Sequence, residues 1–91
     1  MKDIVINEKR YEVIENYKNC IDIETISNLL TDYFDDFDYV LGDYSYGKLR
    51  LKGFYEDGSK KSKQYNNIGY YKKYLEDFCA SECAYFLIKH I

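Results

Sequence analysis

The chain has 91 residues, 46% of them apolar, a net charge of −3, twelve Tyr, three Cys, and neither Pro nor Trp. That length suits one domain, residues 1–91, with a modest core, and the apolar content excludes an intrinsically disordered chain. No run approaches the ~20 apolar residues of a membrane span, and an acidic whole argues against a strong, non-specific nucleic-acid binder.

Asp3 to Ile6 and Tyr11 to Tyr17 read as two strands around the turn Asn7-Glu8-Lys9-Arg10. In the second, Tyr11, Val13 and Glu15 alternate with Glu12, Ile14 and Asn16, and apolar residues on both faces suit an internal strand. Asp22 is placed to cap a helix. Ile23, Ile26, Leu29, Leu30, Tyr33, Phe34 and Phe37 then recur at helical spacing, which predicts about four turns over roughly 23–36. Ile26, Leu29, Leu30 and Tyr33 are its expected buried face. The acidic run Asp32, Asp35, Asp36, Asp38 opposes the helix dipole at that end, so fraying into a loop is expected there.

Residues 38–54 predict a β-hairpin with its turn at Tyr46-Gly47. Gly42 and Gly53 inside the strand pattern point to a bulge or a close approach by another backbone. Residues 56–67 form a polar loop. A second helix is predicted from Ile68 or Tyr70 to Phe78, with Tyr71, Tyr74, Leu75 and Phe78 on one face, and a closing strand from Ala84 to Ile91. The order ββαββαβ predicts an α+β domain, an antiparallel-dominated sheet with two helices.

Charge is uneven along the chain. Residues 1–46 carry four cations against eleven acids, whereas residues 47–73 carry eight cations against Glu56 and Asp57. Lys48, Arg50 and Lys52 alternate on the second hairpin strand, so they leave on one face while Leu49 and Leu51 enter the other. Tyr44 and Tyr46, near the turn, are expected on the cationic side. Asp43 lies close to Arg50 or Lys48 in any short-loop register, so a cross-strand ion pair is expected.

Candidate binding residues are Tyr44, Tyr46, Lys48, Arg50, Lys52, Lys60, Lys61 and Lys63. Each also reads as part of an ordinary amphipathic strand or a solvated loop.

Catalytic and metal signals are weak. Cys79 and Cys83 enclose three residues, not the two that zinc and redox motifs favour. They read as small buried hydrophobes, as does Cys20. The short apolar run after Met1-Lys2-Asp3 is no secretory leader, so a cytoplasmic chain with free thiols is expected. His90 has no nucleophile near it in sequence, and the acidic cluster lacks the spacing of a calcium loop. No catalytic residue, metal or cofactor is expected.

Asp38-Tyr39-Val40-Leu41-Gly42-Asp43, the run Tyr46-Gly47-Lys48-Leu49-Arg50-Leu51-Lys52-Gly53-Phe54, Cys79, and Cys83-Ala84-Tyr85-Phe86 together resemble the YutD-like family, small proteins of low-GC Gram-positive bacteria. Arg10-Tyr11-Glu12-Val13-Ile14 fits as well, so the resemblance spans about residues 8–90. Tyr44 stands where the resemblance leads one to expect Trp. The resemblance implies a cytoplasmic α+β domain and supplies no activity.

Two functional readings follow. The first is a non-enzymatic protein-interaction module that uses the aromatic-cationic hairpin face or an open sheet edge. The alternative is an RNA-associated accessory protein that stacks bases on the same Tyr residues and holds phosphates with the same Lys and Arg residues.

Overall fold

The computed structural model describes residues 2–45, 47–78 and 83–91, without the side chain of Phe78. Two strands, β1 (Asp3–Ile6) and β2 (Lys9–Tyr17), precede α1 (Ile23–Leu29) and a 3₁₀ turn at Asp32–Asp36. The hairpin β3 (Tyr39–Ser45) and β4 (Lys48–Phe54) follows. A 3₁₀ turn at Ile68–Tyr70 runs into α2 (Tyr71–Phe78), and β5 (Tyr85–His90) closes the chain. The five strands form one antiparallel sheet in the order β1-β2-β5-β3-β4, so the last strand lies in the middle.

Each sheet face has its own core. The first packs Ile6, Tyr11, Val40, Phe86 and Ile88 against Ile26 and Leu30. The second packs Leu41, Phe54 and Leu87 under Ile68, Tyr71, Tyr74 and Leu75. Strand parity explains the split, because successive side chains leave on opposite faces. Both strand glycines lie on the first face, where they make room for rings rather than for another backbone. A Cβ built on Gly42 would sit 2.1 Å from Phe86 Cζ, and one on Gly53 would sit 2.3 Å from Phe37 Cγ.

Three further expectations need correction here. The turn between β1 and β2 is tighter than the sequence suggests. Asn7 and Glu8 both take positive φ (53° and 68°), while Lys9 and Arg10 already pair within the sheet. A two-residue turn of this hand matches the twist of the flanking strands.

The predicted four-turn helix is two turns long. Asp22 caps α1 by accepting from the Glu24 and Thr25 amides, but the chain leaves the helix at Leu30. Asn7 donates its side-chain amide to the Ser27 and Leu30 carbonyls and so occupies acceptors that the helix end leaves open. Breaking there places Asp32 and Asp35 in the first turn of a new helical segment, the favourable end of its dipole, instead of at the C-terminus of a long helix. Ile26 and Leu30 are buried as expected, whereas Leu29 and Tyr33 are exposed.

A bulge in β2 overturns the expected alternation. The pairing with β5 shifts between Val13 and Glu15, so Glu15 joins Ile14 on the second face instead of following Val13 onto the first.

Candidate interaction site on the hairpin

The hairpin register runs unbroken from Tyr39↔Phe54 to Ser45↔Lys48. Opposed residues share a face, so Lys48, Arg50 and Lys52 lie with Ser45, Asp43 and Leu41 on the α2 side of the sheet. Leu49 and Leu51 pack on the first core, as the sequence predicts.

The three cations are not equivalent. Arg50 directs Nε and Nη2 at the two carboxylate oxygens of Asp43, both at 3.0 Å. Asp43 is 1% exposed, so the guanidinium neutralises a buried charge. Lys52 places its Nζ 5.2 Å from the Phe54 ring centre and 5.6 Å from that of Tyr74, within the range of cation–π attraction. Lys48 is exposed beside the turn.

Lys52 also lines a cleft of about 280 Å³ together with Tyr65, Tyr70 and Tyr74. Tyr65 meets Tyr70 edge-to-face at 5.5 Å, and Tyr74 meets Phe54 edge-to-face at 6.1 Å. Tyr65 is 65% exposed, a large ring held at the rim. Burial pushes the Tyr74 hydroxyl above its usual pKa; Asp43 adds to the rise and Arg50 opposes it. Aromatic walls with an ammonium in the lining suit a planar or apolar group next to a negative charge.

The structure scatters the remaining predicted residues. Tyr44 opposes Leu49 and so lies on the first face, away from the cations. This corrects its expected position, and burial raises its pKa there. Tyr46 is outside the described residues. Lys61 reaches Asp36 instead, and Tyr55 donates to the same carboxylate at 2.8 Å. Both bonds hold Asp36 below the usual carboxylate range, with Lys61 the larger cause. Lys60 is exposed, and Lys63 lines a separate polar cleft with Asp57, Ser62 and Asn67.

The other sequence candidates have structural surroundings. His90 stacks on Tyr11 at 5.1 Å. Of the acidic cluster, Lys9 pairs with Asp35 and Asp32, and Asp38 accepts from the Glu56 amide. Cys20 is free, half-buried and pushed up in pKa by that burial. Cys83 is disulfide-bonded, which corrects the expectation of free thiols throughout. Cys79 lies outside the described residues. Among the described residues no cluster of three or more metal-ligating side chains occurs, and no helix is long and apolar enough to cross a membrane.

Sequence reasoning missed two features. Tyr65, Tyr70 and Tyr74 join Lys52 through a long-range packing of α2 on the hairpin, and the one available hint was the abundance of tyrosine. Glu15, brought round by the bulge, accepts from the hydroxyls of both Tyr71 and Tyr85, the latter at 2.9 Å. This ties α2 to β2 and β5 across the second core.

Comparison with known proteins agrees with this architecture. A solution NMR structure of protein yutD from B. subtilis matches all of this chain and 83% of its own, with a TM-score of 0.81 and 33% identity. A protein of Bacillus subtilis (strain 168) named "Putative antitoxin YutD" is 34% identical over 88 residues, 97% of each chain. Residues 5–89 match the family described as "Putative antitoxin YutD-like". This chain therefore belongs to the YutD-like family.

Proposed function

We propose that this chain is a non-enzymatic, cytoplasmic protein-interaction module whose partner surface is the α2 side of the β3–β4 hairpin. The observation that carries the reading is the meeting of Lys52 with Tyr65, Tyr70 and Tyr74 in one open cleft, in line with Arg50 and Lys48 on the same face. Tyr and Arg supply much of the energy at protein interfaces, because they bury large area while keeping a polar handle. The "antitoxin" in the family's description supports the reading from another side, since an antitoxin acts by engaging a partner.

The pairing of charges favours protein over RNA. Arg50 is committed to Asp43 and Lys61 to Asp36, so two of the six candidate cations already face carboxylates. Affinity for a phosphate backbone grows with the number of cations that replace counterions.

The test is capture from nuclease-treated native extract by wild type and by Lys48→Ser/Lys52→Ser. Specific protein retained by wild type and lost by the variant supports the reading. Retention that disappears with nuclease transfers the site to nucleic acid, and equal retention by both proteins places the surface elsewhere.

A further inference from the structure

The outer edge of β4 is a strand position that the chain itself fills at one residue. The Tyr55 amide donates to the Asn66 carbonyl at 2.6 Å, and its carbonyl accepts from the Ile68 amide at 2.8 Å. Both groups therefore point away from β3. The Phe54 carbonyl accepts from Asp38 and points the other way. Backbone groups alternate sides along a strand, and the register has no shift between Lys48 and Phe54. Leu49 and Leu51 thus turn their N–H and C=O groups outward. β4 ends the sheet order, and neither leucine meets a strand there among the described residues. Residues 66–68 pair only at Tyr55, then leave the edge as the 3₁₀ turn Ile68–Tyr70.

The side chains along this edge specify what fits beside it. On the α2 side stand Lys48, Arg50 and Lys52; on the other side stand the half-buried Leu49 and Leu51. A strand laid along β4 would place its alternate residues next to those two rows. Arg50 is paired with Asp43, so the added strand needs acids next to Lys48 and Lys52 on one face and apolar side chains on the other. Beyond Lys52, the acidic face runs into the tyrosine cleft, whose ~280 Å³ suit one aromatic side chain. A second copy pairing through the same edge would set cation against cation, which is destabilising. Nucleic acid presents no ladder of alternating donors and acceptors to match outward amides and carbonyls.

We infer that the outer edge of β4 takes up an extended segment of the partner protein, alternating acidic and apolar residues, with an aromatic side chain seated beside Lys52 against Tyr65 and Tyr74. This deepens the reading of the hairpin as a protein-interaction surface and rests on it. Strand addition draws affinity from the backbone and specificity from alternate side chains.

The probes are acetyl-(Glu-Val)₃-Tyr-amide and its reversed sequence, since either strand direction satisfies the edge. Controls are a Lys-for-Glu analogue, a peptide N-methylated at alternate residues, and oligouridylate. The readout is amide exchange at Leu49 and Leu51, followed by NMR. The expected result is slowed exchange at both amides with an acidic probe, lost on N-methylation. Lys48→Glu/Lys52→Glu should weaken the acidic probe at least tenfold and gain affinity for the Lys analogue. No binding of either acidic probe, binding that leaves both amides unprotected, or protection by oligouridylate alone overturns the inference. The broader reading is judged separately by the nuclease-treated capture. Protein retained equally by wild type and Lys48→Glu/Lys52→Glu would keep an interaction function while removing it from this edge.

Discussion

Asp43 and Arg50 face each other directly across β3 and β4, joined by two hydrogen bonds of 3.0 Å. The carboxylate is buried, while the arginine side chain remains 41% exposed. Removing the guanidinium strands a charge away from water, whereas truncating Lys48 or Lys52 strands nothing comparable. Arg50→Ser should cost about 2 kcal/mol, and Lys48→Ser or Lys52→Ser about 0.5 kcal/mol or less. Urea denaturation of the three single variants checks this. Equal effects would mean that the Asp43 pair contributes no more than a surface contact. The sequence alone leaves Asp43 to either Arg50 or Lys48, and the register selects Arg50.

Gly42 and Phe86 are cross-strand partners, and the ring lies where a β-carbon would go. Gly42→Ala should destabilise by about 1–3 kcal/mol through overpacking, because Phe86 is fully buried and has little room to retreat. Adding Phe86→Leu should recover part of that loss. A thermal melt of Gly42→Ala matching wild type would contradict the close approach.

Asn7 does two things at once: it adopts a left-handed conformation, and it bonds the Ser27 and Leu30 carbonyls. Asn7→Gly keeps the first and loses the second. It should cost about 1 kcal/mol for the lost hydrogen bonds. Asn7→Ala should cost more, since a side chain without local polar bonding resists positive φ. Chemical denaturation of the two variants separates the contributions.

Stability should fall in alkali. Tyr71 and Tyr85 are pushed up in pKa first by burial and then by hydrogen bonds to Glu15. An unfolded tyrosine titrates near pH ~10. Folding therefore gains from keeping these hydroxyls protonated. That gain is fully present below pH ~10 and is lost as pH rises through the higher folded values. Tyr71→Phe should be less stable than wild type at neutral pH, and the gap should narrow above pH ~10. Melting temperatures of both proteins across pH 7 to about 12 provide the check. A constant gap would show that Tyr71 does not titrate with folding.

Strand patterns located every strand, although only β4 alternates apolar and polar residues cleanly; in β5, Phe86, Leu87 and Ile88 form an apolar run buried on both faces, as its place in the middle of the sheet requires. The helix after Asp22 was overextended, since Leu29-Leu30 and Tyr33-Phe34-Phe37 keep helical spacing through a break that Asn7 stabilises from another element. Glu15 was put on the wrong face because a single bulged residue inverts parity, and Ile14 carries no local signal for it. The position of Tyr44, by contrast, is legible in the sequence. A two-residue turn at Tyr46-Gly47 already pairs Tyr44 with Leu49, so the register alone separates it from the cations. The cleft beside Lys52 depends on how α2 and the loop before it pack on the hairpin, and no local pattern encodes that.

Under the proposed function, the α2 side of the hairpin meets a protein. Tyr65 and Tyr33 make a matched pair for testing it: they are 65% and 69% exposed, and they flank opposite sides of the sheet. A photo-crosslinking phenylalanine analogue at either position, irradiated in native extract, reads directly which side is occupied and by what. A discrete protein adduct is expected from position 65 that survives nuclease treatment and is absent from position 33. Adducts of equal yield from both positions, or an adduct from position 65 that nuclease destroys, would contradict it.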